Sequence, residues 1–210
     1  MSARRLLIVG AGGFGREIAT WAYDVPASRR DWDVVAGFLD RDPAASADRR
    51  RLPVLGSEDD FEFGPEDRVV IAIGDGALRR QVAERLAGRA RFTRIIHPTA
   101  LIGGGVRLGE GVVFAPYAVA TTDVDVGNHV IVNVAATIGH DARLGDFVTL
   151  SAHVDVTGGA IIEEGAFLGT HAVVLPEARV GAFARVGANT TVLRRVEPRV
   201  TVFGSPARRV

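Results

Sequence analysis

Residues 126–150 read VGNHVIVNVAATIGHDARLGDFVTL, and Val126, Val132, Ile138, Leu144 and Leu150 recur at every sixth position of this stretch. The spacing runs unbroken from Ile96 to Glu197. A first row from Ile96 to Val192 is apolar throughout, and a second row four residues later, from Ala100 to Val196, is small or β-branched throughout. An amphipathic helix repeats near 3.6 and a half-buried strand at two, so neither accounts for a period of six. The period is the sign of a parallel β-helix, in which each hexad is one short strand and three hexads close one triangular coil. Residues 18 apart should then stack on neighbouring rungs, spaced about 4.8 Å. The two rows form ladders that bury a core no single repeat could bury alone. Glycine follows the first row at Gly103, Gly109, Gly127, Gly139, Gly145, Gly169, Gly181 and Gly187, and the expectation is that these corners use its freedom of φ.

The remaining 95 residues leave room for a second domain, giving an expected division into 1–95 and 96–210. Lysine plus arginine and aspartate plus glutamate each total 25, so no net field attracts nucleic acid or an anionic membrane. No apolar run approaches a membrane span, and Met1 to Arg5 lacks the apolar stretch of a signal peptide, so a cytoplasmic location is expected. Cysteine is absent, which removes disulfides, thiolate metal sites and a thioester intermediate on the protein. Lysine is absent too, so no side-chain amine nucleophile exists. The cluster Asp48-Arg49-Arg50-Arg51 reads as a solvated loop rather than a phosphate site.

Leu6-Leu7-Ile8-Val9 reads as a buried strand leading into Gly10-Ala11-Gly12-Gly13-Phe14-Gly15 and a helix with Ile18, Trp21, Ala22 and Val25 on one face. Gly10, Gly12 and Gly15 fit G-x-G-x-x-G in the strand-to-helix setting where free N–H groups favour a phosphate. A second strand, Val34 to Leu39, ends at Asp40, and a third, Val69 to Ile73, ends at Gly74-Asp75-Gly76 before a helix carrying Leu78, Val82 and Leu86. This is a Rossmann-like α/β half domain whose three loops, at the carboxyl ends of the strands, should line one crevice. Without a second mononucleotide half, NAD is disfavoured against another nucleotide, and a purely structural glycine turn stays open.

Periodicity sorts the histidines. His97 sits at the domain junction, while His129, His153 and His171 fall on one hexad position, with His153 and His171 18 apart and so stacked. A zinc or iron site would need at least a third ligand, which no nearby carboxylate or thiol supplies, so no metal is expected. His140 lies one place earlier in its hexad and is followed by Asp141. A neutral imidazole beside an acid is suited to taking a proton from an attacking amine or hydroxyl. Asp141 either orients the ring or holds its protonated form, and a turn histidine with an ordinary polar neighbour remains the alternative.

Hexads of this type resemble those of the left-handed β-helix acyltransferases, and the left hand is implied by that resemblance. GAGGFG at 10–15, GFLD at 37–40, AIGD at 72–75, IHPTA at 96–100, GHD at 139–141 and GSPAR at 204–208 occur in this order. Together they resemble the NeuD-type sugar acetyltransferases, which include N-acetyltransferases of nucleotide-linked 4-amino-4,6-dideoxy sugars. The resemblance covers essentially the whole chain. It implies that His140 is the general base, that Asp141 supports it, and that Gly158, one coil later, offers its N–H to the thioester carbonyl. The 18-residue coil independently puts Gly158 on the rung beside His140.

The resemblance also implies that the nucleotide sugar lies near Gly12, Gly13, Phe14, Gly15, Asp40, Gly74 and Asn133. Acetyl-CoA is implied between subunits of a homotrimer, near Gly158, Thr170, Ala188, Gly204, Pro206, Ala207 and Arg208. Phe14 stands where some relatives carry a polar residue, and Thr149 replaces a histidine of some members, which leaves the choice of sugar open. The expected activity is acetyl-CoA-dependent N-acetylation of a nucleotide-linked amino sugar by direct transfer, since no cysteine can carry the acyl group and no G-x-S-x-G elbow appears. O-acetylation or another acyl-CoA stays open within the class. Outside it stand a non-catalytic nucleotide-binding trimer and a metal hydratase like the γ-type carbonic anhydrases, whose histidine spacing is not reproduced.

Overall fold

A computed structural model describes residues 3–45 and 51–210 of the chain. The Leu6 to Val9 run forms β1 (Arg5–Val9), the centre of a parallel sheet with β2 (Val34–Leu39) and β3 (Asp67–Ile71) in the order β2-β1-β3. All four apolar residues are buried because both faces of β1 are covered. Leu6 and Ile8 pack under α1 (Gly13–Asp24) with Ile18, Trp21 and Ala22, whereas Leu7 and Val9 pack under α2 (Gly76–Leu86) with Val82, Ala83 and Leu86. Parallel bridges Phe38↔Val54 and Val69↔Phe92 widen the sheet on either side. Of the Asp48–Arg51 cluster only Arg51 is described; Asp48, Arg49 and Arg50 lie outside the described residues. No helix among the described residues is long and apolar enough to cross a membrane.

From Ile95 onward strands of two or three residues wind into a parallel β-helix of three faces. The first face runs from Ile95–Ile96 to Thr201–Phe203, the second from Leu101–Ile102 to Thr191–Val192, and the third from Arg107–Leu108 to Arg195–Val196. Rungs pair in the expected register, for example Ile131↔Thr149 and Thr137↔Asp155. Both apolar rows point inward: Ile138, Leu150, Val156 and Leu168 are completely buried, as are Ala136, Val148, Val154 and Ala166.

Two features differ from the sequence reading. The left-handed φ at the corners falls two positions after the glycines, at residues such as His129, Asp141 and Asn189. The glycines are instead required by close approach of the next rung: a Cβ on Gly103 would lie 1.5 Å from the Thr121 carbonyl oxygen. The final coil is also shortened, because Val180 pairs with Val196, two residues short of the regular step. Val196 therefore takes a first-row place rather than the second-row place assigned from the periodicity. The regular hexads end at Val192.

The N-terminal unit sits on the outer surface of the first face, where Ile95, Val113, Ala115 and Ile131 join the α1 core. His129 fills the seam. It is 3% exposed, stacks on Phe147 at 5.3 Å and meets Phe92 edge-on at 4.5 Å. Burial, and then the nearby Arg79 charge, lower its pKa from 6.5 to about 4, against a smaller opposing effect of Asp146. The folded protein thus holds this imidazole neutral while the unfolded chain protonates near its ordinary value. The associated stability is fully present above pH 6.5 and is lost as the pH falls toward 4, with a difference on the order of 3 kcal/mol. Urea unfolding at pH 7 and pH 4.5 should show this loss in the wild type. His129→Asn, which tolerates the left-handed φ of 53°, should lack this component. An identical pH dependence in both proteins would refute it.

Candidate active site

The corner Gly139-His140-Asp141 follows the strand Thr137–Ile138 and links the second face to the third. Asp141 adopts φ 61°, and its N–H donates to the Thr122 carbonyl on the preceding rung at 3.2 Å. Its carboxylate Oδ2 lies 2.7 Å from His140 Nδ1. That contact favours the tautomer with the proton on Nδ1 and leaves Nε2 as the free acceptor. Both side chains are about two-thirds exposed, so the ring is held by its neighbour rather than by burial.

Gly158 stacks one rung further on. A Cβ there would lie 2.6 Å from His140 Nε2 and 2.7 Å from Cε1, so the ring covers the glycine's bare α-carbon. Gly159 N–H donates to the His140 carbonyl at 2.8 Å, locking the two corners together. The Gly158 N–H itself donates to no protein acceptor among the described residues. A basic nitrogen and an unused amide donor therefore occupy one exposed corner. That pairing can accept a proton and stabilise an adjacent oxyanion.

The glycine loop divides by function. Gly10 has φ +101°, and a Cβ on Gly15 would come within 1.9 Å of the Gly10 carbonyl oxygen, so packing alone requires both. Gly12 meets nothing within 4 Å and Gly13 only the tip of Arg16 at 3.8 Å; both are exposed at the start of α1. Phe14 turns inward against Trp21 at 6.0 Å. Asp40 stitches the loops together, accepting the Ala11 N–H at 2.8 Å and the Asp42 N–H at 3.0 Å. Gly10, Asp40 and Ile73 line a cavity of about 260 Å³ with Glu58, Leu78 and Arg85. Gly12 to Gly15 do not line it, because the chain turns away into α1, so the single crevice expected from three loops is only partly formed.

Gly74 is exposed, but its carbonyl is engaged by Thr149 Oγ1 of the β-helix at 2.9 Å and by Arg79 Nη1 of α2 at 3.2 Å. Thr149, noted only as a histidine replacement, thus joins the two domains. Arg79 was missed altogether, although it sits with Val82, Ala83 and Leu86 at the spacing of the buried face of α2.

Asn133, Thr170 and Ala188 lie on the other edge of the second face, at the corner it shares with the first. Asn133 Oδ1 accepts the Val134 N–H at 2.7 Å, and Thr170 and Ala188 are exposed on stacked rungs. Gly204, Pro206, Ala207 and Arg208 form the closing hairpin beyond them, with Gly204 N–H on Thr190 Oγ1 at 3.1 Å and Arg208 paired to Phe203. His153 and His171 stack on this same corner, ring centroids 4.7 Å apart. Among the described residues no group of three or more histidine, cysteine, aspartate or glutamate side chains is placed to hold a metal. Within one chain, then, the second face separates His140 and Gly158 from these residues, and the N-terminal loops stand over the first face.

Residues 5–86 match the family model described as the PglD N-terminal domain. Over nearly the whole chain the structure is similar to PerB from Caulobacter crescentus in complex with CoA and GDP-perosamine, with 30% identity, 98% of this chain and 96% of that one covered, and a TM-score of 0.87. The acetyltransferase domain of PglB from Neisseria gonorrhoeae, solved with acetyl coenzyme A, matches with 27% identity, both chains fully covered and a TM-score of 0.87. UDP-N-acetylbacillosamine N-acetyltransferase of Bacillus subtilis is 33% identical over 124 residues, 52% of this chain, and the match spans 50% of that enzyme's length. A Rossmann-like unit docked on a parallel β-helix is the architecture shared with these solved acetyltransferases. The chain belongs to the NeuD-type sugar acetyltransferase family.

Proposed function

We propose that the protein transfers the acetyl group of acetyl-CoA to the amino group of a nucleotide-linked amino sugar, a 4-amino-4,6-dideoxyhexose, by direct attack. The observation that carries this reading is the His140 imidazole, hydrogen-bonded through Nδ1 to Asp141 and lying over Gly158. The amine nitrogen adds to the thioester carbonyl, and His140 Nε2 takes the proton it sheds. The Gly158 N–H donates to the oxyanion of the tetrahedral intermediate. Collapse expels the CoA thiolate, which recovers the proton from the imidazolium, while Asp141 stabilises the transient positive charge. No cysteine or lysine is present to carry the acyl group, which favours transfer within a ternary complex.

Relatives support the two substrates: PerB was solved with CoA and GDP-perosamine, and the PglB domain with acetyl coenzyme A. We assign the nucleotide sugar to the surface of Gly12, Gly13, Asp40 and Gly74, and acetyl-CoA to Thr170, Ala188 and the closing hairpin. Assembly as a homotrimer would bring the His140 corner of one subunit beside the Thr170 corner of the next. A thermal-shift screen of UDP-, GDP- and dTDP-linked 4-amino sugars with CoA tests the assignment. A nucleotide sugar at 100 times its dissociation constant should add about 2.7 kcal/mol. Stabilisation by NAD and by no nucleotide sugar would overturn it.

A further inference from the structure

Arg79 is 1% exposed, and among the described residues no carboxylate lies within ion-pair distance of it. Its guanidinium is held by neutral acceptors from both domains. Nε donates to the His129 carbonyl at 2.8 Å, and Nη2 to the Phe147 carbonyl at 2.6 Å, the Val148 carbonyl at 3.1 Å and Thr149 Oγ1 at 2.9 Å. Nη1 donates to the carbonyls of Ile73 at 2.5 Å and Gly74 at 3.2 Å. Burial lowers the Arg79 pKa to about 9, against a smaller opposing effect of the Asp75 charge, which still leaves it charged at neutral pH. Burying a cation whose hydrogen bonds all go to neutral acceptors is costly, so its retention asks for a compensating role.

The two peptide groups that Arg79 holds by their oxygens end in the N–H groups of Gly74 and Asp75. Among the described residues neither N–H donates to a protein acceptor. A cation at the carbonyl end of a peptide draws electron density from its N–H end and makes it a stronger donor. These amides lie at the carboxyl end of β3, immediately before α2, where the helix start adds partial positive charge. Asp75 keeps its own carboxylate occupied, on the Leu78 N–H at 2.9 Å and Arg185 Nη2 at 2.5 Å.

We infer that Arg79 is a positioning residue for the acyl acceptor: it holds the Ile73–Asp75 turn against the β-helix so that the Gly74 and Asp75 amides receive the diphosphate of the nucleotide sugar. The inference rests on the nucleotide-sugar reading above. It adds that the diphosphate site is built across both domains, with the buried guanidinium acting on it through the two peptide groups whose oxygens it holds.

Calorimetric titration of the full-length protein with GDP, UDP and dTDP, and with the corresponding uncharged nucleosides, tests this. Arg79→Met should weaken the preferred diphosphate at least tenfold, about 1.4 kcal/mol, and leave nucleoside affinity within twofold. Thr149→Val, which removes one of the two donors on the Gly74 carbonyl, should weaken the diphosphate by a few-fold. In acetyl-transfer assays the KM for the nucleotide sugar should rise, with the KM for acetyl-CoA and kcat at saturation within twofold. If Arg79→Met does not fold, Arg79→Lys keeps the charge but not the fork, and should show a smaller selective loss. Unchanged diphosphate affinity, or an equal loss for nucleoside and diphosphate, would overturn the inference while leaving the nucleotide-sugar reading in place. A wild-type protein that binds none of the three diphosphates would overturn that reading, and this inference with it.

Discussion

Replacing His140 by alanine should lower kcat by about 10²–10⁴ while leaving both KM values within a few-fold, the loss expected when a general base is removed. The fold should be unaffected, because the side chain is two-thirds exposed and belongs to neither inward ladder. Among the described residues its side chain bonds only Asp141, itself exposed. Asp141→Asn should cost less, since an amide oxygen can still accept from Nδ1–H but no longer carries the charge that stabilises the imidazolium. Steady-state kinetics beside the melting curves separate the two effects. Wild-type turnover in a well-folded His140→Ala protein would leave the corner without a catalytic role.

A single methyl on Gly158 should be nearly as damaging, for a different reason. The Cβ would lie 2.6 Å from His140 Nε2 and 3.2 Å from Cδ2, closer than side-chain contacts allow, so the ring must swing away. Displacing a catalytic group by about 1 Å can cost about 10² in rate. Gly158 lies outside the left-handed region, so alanine strains no backbone there and stability should hold. Gly159→Ala is the matched control. Its φ of +68° forces strain, and its Cβ would face Glu177 at 3.4 Å rather than the imidazole, so it should lose about 1 kcal/mol of stability and keep its activity. Equal activity in Gly158→Ala and wild type would show that the ring's place over the glycine is not used.

The pairing of His140 with Gly158 was legible because a coil of 18 residues turns sequence separation into a neighbouring rung, and the same rule stacked His153 on His171. The corners were less legible. Gly103 and Gly139 are needed because the next rung passes close by, a steric demand set by the neighbouring coil rather than by local φ. The shortened last coil carries no compositional mark: Val196 suits either row, and only its pairing with Val180 decides between them. Asp40 was expected beside the nucleotide sugar, but its hold on the Ala11 and Asp42 amides was not legible, because those partners have no side-chain identity to read. Arg79 escaped for the same reason, since five of its six acceptors are backbone carbonyls brought together only when α2 docks on the β-helix.

Direct product analysis tests the central claim most plainly. Purified protein is incubated with acetyl-CoA and UDP-, GDP- or dTDP-linked 4-amino-4,6-dideoxy sugars, CoA release is followed, and the sugar product is characterised by mass and NMR. The account predicts that one of these sugars triggers CoA release in equal amount to a product acetylated on its amino nitrogen, and that His140→Ala slows this release by two orders of magnitude or more. CoA release that no nucleotide sugar stimulates, or that proceeds at the wild-type rate without the His140 imidazole, would contradict it.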